Sequence, residues 1–384
     1  MIIPTNEEKQ AVWAAYNAGK PTRVPLTWGV NNRAWILDPA LNTEGITFEQ
    51  HFNDPQSTLT VYARFEEHCA EYYSQSSDLV DTLPDVWTCY ADLQSCGDPL
   101  FFGGEITYTP GQMPAVEPFM SLDDIDGFLA RDFASDPAAN PIIRRQLRYR
   151  EELEKAAKDF SYRGRRARIA HYLPYYDGPL TTCMSLFGAD ILLFMAEEPE
   201  KAKRLFQKIS RDFHARNCFL RRYAGLPETT DGTGWTDDSI QLISTDTYRA
   251  LLLDAHKWYV EATTGGNPEA QVLCHLCGDA TRHFKTIADN IRTTSFDTGF
   301  PVDFGALRRE LGPGITILGG PNVALLQSGT PQQCFEETRR ILQSGICEGG
   351  RFTLREGNNL PPRCPLENLQ AVYAACLECG WLPR

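Results

Sequence analysis

The residues with which this chain can do chemistry concentrate at Cys274-His275-Leu276-Cys277-Gly278. The apolar pair Val272-Leu273 precedes them, so a short strand is expected to end in the cluster. On an extended backbone His275 and Cys277, two apart, face the same side. An imidazole and a thiolate so placed can share one zinc ion. With only two local ligands, such an ion would activate a bound group rather than staple the fold. Two other readings stay open. The pair can simply pack, or Cys274 and Cys277 can form a redox C-x-x-C, although no thioredoxin-like βαβ context surrounds them.

The elements that must position these residues follow from composition and period. With 384 residues, the chain has the length of a large α/β barrel with insertions. Its 42% hydrophobic content describes a globular enzyme. A net charge of -13 argues against a nucleic-acid partner. The densest basic patch, Arg163, Arg165, Arg166 and Arg168, precedes Ile169-Ala170 and is expected to flank a strand. The opening Met1-Ile2-Ile3-Pro4 has neither a basic nor an apolar targeting region, and no run of about 18 apolar residues suggests a membrane span. A cytoplasmic location follows, where twelve scattered cysteines stay reduced.

Short apolar runs alternate with segments of helical period, which predicts βα units and a parallel sheet. Strands are expected at 24–27, 79–83, 167–172, 228–231, 271–275, 294–297, 316–318 and 351–354, enough to close a (β/α)₈ TIM barrel. Helices are expected at 199–223, 245–263, 332–343 with Thr330 as N-cap, and 365–379. Residues 88–120, rich in Gly, Pro and aromatics, read as a β-hairpin insertion after the second strand. Residues 1–20 read as an N-terminal helical extension, and 1–384 as one domain.

In a barrel the chemistry belongs at the C-terminal strand ends. Those ends carry Trp28, Asn32 and Arg33; Asp85; His171 and Tyr172; Asp231, then Asp237-Asp238; His275 and Cys277; Asp297; Asn322; and Asn358. Nearly every expected strand delivers a polar or ligand residue there.

As a set, several motifs resemble the uroporphyrinogen decarboxylase superfamily, which includes cobamide-dependent methyltransferases. They are Gly178-Pro179-Leu180-Thr181-Thr182, Phe187-Gly188-Ala189-Asp190, Leu242-Ile243-Ser244, Gly319-Gly320-Pro321-Asn322 and Gly357-Asn358-Asn359-Leu360-Pro361-Pro362. The likeness runs from about Pro25 to the C-terminus and implies a TIM barrel with its cleft at the C-terminal mouth. The decarboxylases carry Arg-x-x-x-Arg after the first strand; here Gly29 stands at the first position and only Arg33 matches. The methyltransferase branch carries His-x-Cys, matched by His275-Leu276-Cys277. Its third zinc ligand, a cysteine, falls where this chain has Asn358. Cys364 in the same loop, or Asp297 or Asp231, is then expected to complete the site.

The resemblance therefore implies a corrinoid-linked methyltransferase or demethylase. Its zinc would activate a small methyl acceptor, and a partner corrinoid protein would supply methylcobamide. Trp28, Tyr172 and Trp235 are expected to wall the cleft. Asp231, Asp237 and Asp297 would orient polar groups or support the metal ligands, and the remaining strand-end residues would contact the substrate. A metal-free decarboxylase using Asp85 and Arg33 is the alternative, and a non-catalytic barrel the third.

Overall fold

The computed structural model describes residues 2–382 of the chain. Its regular strands are β1 (Trp87–Cys89), β2 (Ser161–Tyr162), β3 (Arg165–Ile169), β4 (Gly232–Thr236), β5 (Gln271–Leu276), β6 (Ser295–Thr298), β7 (Thr316–Gly319) and β8 (Phe352–Leu354). Strands β4 to β8 form a five-stranded, wholly parallel sheet in sequence order. β1 pairs in parallel with β3, and β2 adds an antiparallel edge to it. The arginine patch lies along that β2–β3 turn and strand, as a flanking feature.

This is an α/β fold with a parallel sheet. A continuous ladder does not close the ring among the described residues. The chain at Leu26 meets β8 through a single parallel bridge, and Tyr176 meets β4 the same way. The expected strand at 79–83 is absent for a local reason. Asp78 takes over the pairing: its carboxylate accepts from Leu26 N at 2.8 Å, its own N–H donates to Leu26 O at 2.9 Å, and the buried Arg23 and Tyr373 side chains hold it there. Pro84 then interrupts the chain, and pairing resumes only at Trp87. The expected 228–231 strand starts later, at Gly232, so Asp231 falls before it.

The 88–120 segment does not build a hairpin of regular strands. It forms a helical turn at Gln94–Cys96, a short helix at Gly97–Phe101 and one antiparallel bridge between Thr107 and Ala115. Pro110 and Pro114, without N–H groups, leave little ladder to extend.

Helices follow their apolar stripes. Pro199–Tyr223 buries Ala202, Leu205, Phe206, Ile209, Phe213 and Leu220, one face at spacings of three and four. Thr330 caps Pro331–Ile341 through a capping box, and that helix packs on Leu366–Cys379. The expected helix 245–263 is two, Thr245–Leu251 and Leu253–Thr264, divided at Leu252, which is fully buried beside Leu251. The N-terminal helix Asn6–Asn17 is fastened by Lys9, whose buried ammonium donates to the Leu79 carbonyl at 2.9 Å. One stretch, Pro179–Glu197, is apolar enough by length and composition to cross a membrane, contrary to expectation. It is two helices separated at Gly188, whose φ is +71°, and half of it is buried in the fold.

Candidate functional site

The pleat of β5 sets the site. Val272, Cys274 and Leu276 are fully buried on one face, which turns His275, and Cys277 beyond the strand, to the other. Cys274 therefore faces the core, away from Cys277, and both thiols are free. Parallel register places His275 beside Asp297 of β6. The imidazole Nδ1 meets Asp297 Oδ2 at 2.7 Å and Nε2 meets Cys277 Sγ at 2.8 Å. Cys277 Sγ lies 3.4 Å from Asn358 Oδ1. His275, Cys277, Asp297 and Asn358 thus share one cleft at the C-terminal end of the sheet.

Asp238 completes the cluster. Its Oδ1 accepts from Cys277 N at 2.7 Å and from Thr236 Oγ1 at 3.2 Å. Ligand atoms of Asp238, His275 and Cys277 all lie within 4.8 Å of one another. The neighbouring Asp237, expected to orient polar groups in the cleft, does not reach it. Asp237 is fully buried and faces the other way, accepting from Leu180 N at 3.1 Å, Thr181 N and Thr181 Oγ1 at 2.7 Å, and bonding His256 Nε2 at 3.1 Å. It caps the helix Pro179–Phe187. Gly178, at φ +81°, permits that approach, because a Cβ there would fall on Thr236 O and Asp237.

Behind His275 stands an arginine that strand-end inspection passed over. Arg355, just past β8, donates to Asp297 Oδ2 at 2.8 Å and pairs with Glu356 at 2.5 Å. On one side Gly320, just past β7, lets the backbone of Arg355 come close, since a Cβ there would fall on the Arg355 carbonyl. Gly29 clears the other side: a Cβ there would collide with the Arg355 guanidinium and the Glu356 carboxylate, and Gly29 N donates to Glu356 Oε2 at 2.9 Å. Its signal was available in the apolar run Phe352-Thr353-Leu354, which ends in Arg355-Glu356. Tyr175, 41% exposed, lies over Gly234 of β4, and its ring would meet any Cβ placed there.

The electrostatics favour protons on both sulfur and imidazole in the metal-free site. Burial pulls His275 down, but the bonds to Asp297 and Cys277 outweigh it and hold the imidazole up at about 10. Burial raises the Cys277 thiol and Asp238 adds to this, with His275 opposing. An imidazolium then donates from Nδ1 to Asp297 and from Nε2 to Cys277, whose thiol donates to Asn358.

Several expected site residues lie elsewhere. Cys364 is buried, with Sγ 3.4 Å from Leu326 O and its carbonyl held by the Tyr72 hydroxyl, so its loop does not turn inward toward Cys277. Asp231 and Asp85 are exposed and precede β4 and β1, at the opposite end of the sheet. Trp28 is buried with its indole N–H donating to Ser76 O and Oγ. Trp235 is fully buried against His256, ring centroids 4.4 Å apart. Neither tryptophan walls the cleft. Asn322 caps the helix Val323–Ser328, accepting from Ala324 N at 2.8 Å. Arg33 donates to Gln94 Oε1 at 2.7 Å. Asn32, His171 and Tyr172 line a separate cavity beyond the ends of β1 and β3.

Fit to a zinc ion rests on the donor set itself. One nitrogen, one sulfur and one carboxylate oxygen converge, and a carboxylate already orients the far nitrogen of the imidazole, the usual arrangement behind a zinc-bound histidine. Three protein donors leave a fourth position open. The residues present fit the group.

No curated protein matches the chain in sequence. Among solved structures, a methyltransferase from Methanosarcina mazei superposes with a TM-score of 0.61 over 96% of this chain and 98% of that one, at 15% identity. At that identity the likeness speaks for the fold. The uroporphyrinogen decarboxylase (URO-D) family model matches residues 166–379, a span that begins in β3 and takes in β4 to β8 and every donor of the cluster. With more than half its length so matched, and the cluster inside the match, the chain belongs to the uroporphyrinogen decarboxylase family.

Proposed function

We propose that this protein is a zinc-dependent methyltransferase within its family, taking a methyl group from a corrinoid carried by a partner protein, or returning one in the reverse, demethylating direction. The observation that carries the reading is the convergence of His275 Nε2, Cys277 Sγ and Asp238 at one point of the mouth, with Asp297 behind the imidazole. His275, Cys277 and Asp238 would hold the ion. A zinc ion in such a set supplies a positive charge that keeps an acceptor thiol or hydroxyl deprotonated near neutral pH.

The chain's own residues do the rest. Asp297 takes the Nδ1 proton side of His275 and leaves Nε2 facing the cleft. Arg355 fixes Asp297 so that the imidazole cannot swing. The Cys277 N–H bond to Asp238 ties the two ligand-bearing loops together. Asn358, beside the sulfur, is placed to hydrogen-bond an acceptor. A porphyrinogen decarboxylase is the weaker reading, since Asp85 lies at the far end of the sheet and Arg355 is spent on Asp297 and Glu356. A cytosolic setting suits a chain whose twelve cysteines are all unpaired.

The test incubates zinc-supplied protein with methylcobalamin and a panel of small thiols, following the cobalamin spectrum and the methylated product. Thiol-dependent demethylation that is lost in Cys277→Ser supports the proposal. Conversion of uroporphyrinogen at an enzymatic rate, with no methyl transfer to any thiol, overturns it.

A further inference from the structure

A second cavity of about 560 Å³ opens beyond the C-terminal ends of β1 and β3, whose sheet is separate from the one that carries the His275 cluster. Its walls are Tyr62, Phe65, Tyr90 and Tyr172, and between them stand two carboxylates, Glu66 and Asp92. No lysine or arginine lines it. Of the arginines nearby, Arg163 pairs with Glu67, Arg150 with Glu154 and Arg33 bonds Gln94, while Arg168 reaches the hydroxyl of Thr88 in the cavity wall. At His171, the one basic residue of the lining, burial and the neighbouring Arg150 hold the imidazole pKa down, with Glu154 opposing. Burial pushes both carboxyls up; the Thr88 N–H opposes this at Glu66, and Gln94 N–H, the Tyr172 hydroxyl and the charge of Arg33 oppose it at Asp92.

We propose that this cavity is a binding site for a small organic ammonium ion, taken by the faces of Tyr62, Phe65, Tyr90 and Tyr172 and neutralised by Glu66 and Asp92. Aromatic rings attract a cation through their electron-rich faces, and they do so best for soft, poorly hydrated ammonium groups. A hard metal ion is the wrong guest, since Glu66 and Asp92 belong to no group of converging metal ligands among the described residues. The volume is that of an ordinary small-molecule site. Tyr62 and Tyr90, ring centroids 5.9 Å apart and tilted by 58°, form the corner of a cage. Asp92 is braced by Gln94 N at 2.6 Å, and Glu66 is the freer charge. Nothing in this proposal depends on zinc or on methyl transfer.

The experiment titrates the full chain with choline and with its neutral isostere 3,3-dimethyl-1-butanol by isothermal calorimetry, with and without chelator. Choline should bind at least tenfold more tightly than the alcohol, equally in both conditions. Glu66→Gln should weaken choline at least tenfold and leave the alcohol unchanged, and Tyr90→Leu should weaken choline as well. Because the isostere comparison uses unmodified protein, a variant that fails to fold does not spoil it. Equal affinity for the two, no choline binding, or choline binding unchanged in folded Glu66→Gln overturns the proposal.

Discussion

Two adjacent aspartates should fail in opposite ways. Asp237 is fully buried and receives three N–H or O–H donors from the start of the helix Pro179–Phe187, besides its bond to His256. Asp237→Ala strands those donors out of water. Hydrogen bonds to a charged group contribute roughly 1.5–3 kcal/mol each but do not add, and breaking one side of a buried charged network costs about 3–5 kcal/mol. Asp238 is partly exposed and its two bonds, to Cys277 N and Thr236 Oγ1, can be replaced by water. Asp238→Ala should cost about 1 kcal/mol in stability. Equilibrium urea unfolding of metal-free protein reads both, and a zinc competition assay on the folded variants reads the ligand. Asp237→Ala should be strongly destabilised, and Asp238→Ala nearly as stable as wild type but at least tenfold weaker for zinc. Similar stability losses in the two, or wild-type zinc affinity in Asp238→Ala, would refute the assignment.

His51 is buried with Nε2 3.2 Å from the Asn32 amide nitrogen, and burial lowers it from 6.5 to about 3. Between those values the unfolded chain binds a proton that the folded one refuses, so its contribution is complete above pH 6.5 and is lost as pH falls toward 3. By pH 5 that amounts to about 2 kcal/mol, and urea unfolding at pH 7 and pH 5 should show that extra loss in wild type but not in His51→Gln; equal losses would exclude it. Gly29→Ala should displace Arg355 at a cost of roughly 1–3 kcal/mol. In an Arg355→Ala background the same change should cost clearly less, and thermal melting of the four proteins of that cycle gives the answer.

Much of the fold was legible because local signals agreed with tertiary demand. The stripe in Pro199–Tyr223, the Thr330 capping box and the short apolar strands β5 to β8 each needed only their own segment. The edge of the sheet was not legible, since the pairing of Leu26 is completed by the Asp78 side chain, more than fifty residues away, rather than by a strand. The same division holds in the site. His275, Cys277 and Asp297 fell on strand ends that the pattern located, and register brought them together. Asp237 and Asp238 were indistinguishable by position, because the backbone turn at Asp237 (φ -161°, ψ 72°) decides which one looks into the cleft. Trp28 and Trp235 read as cleft walls from their places near strand ends, yet large aromatics bury wherever a core accepts them.

Metal content tests the central claim most directly. Full-length protein prepared without chelator, supplied with zinc and freed of excess should carry one zinc per chain by elemental analysis, and Cys277→Ser should lose it while Asn358→Ala and Cys364→Ala keep most of it. A wild-type protein that retains no zinc under those conditions would contradict the account and leave His275 and Cys277 as a hydrogen-bonded pair without a metal.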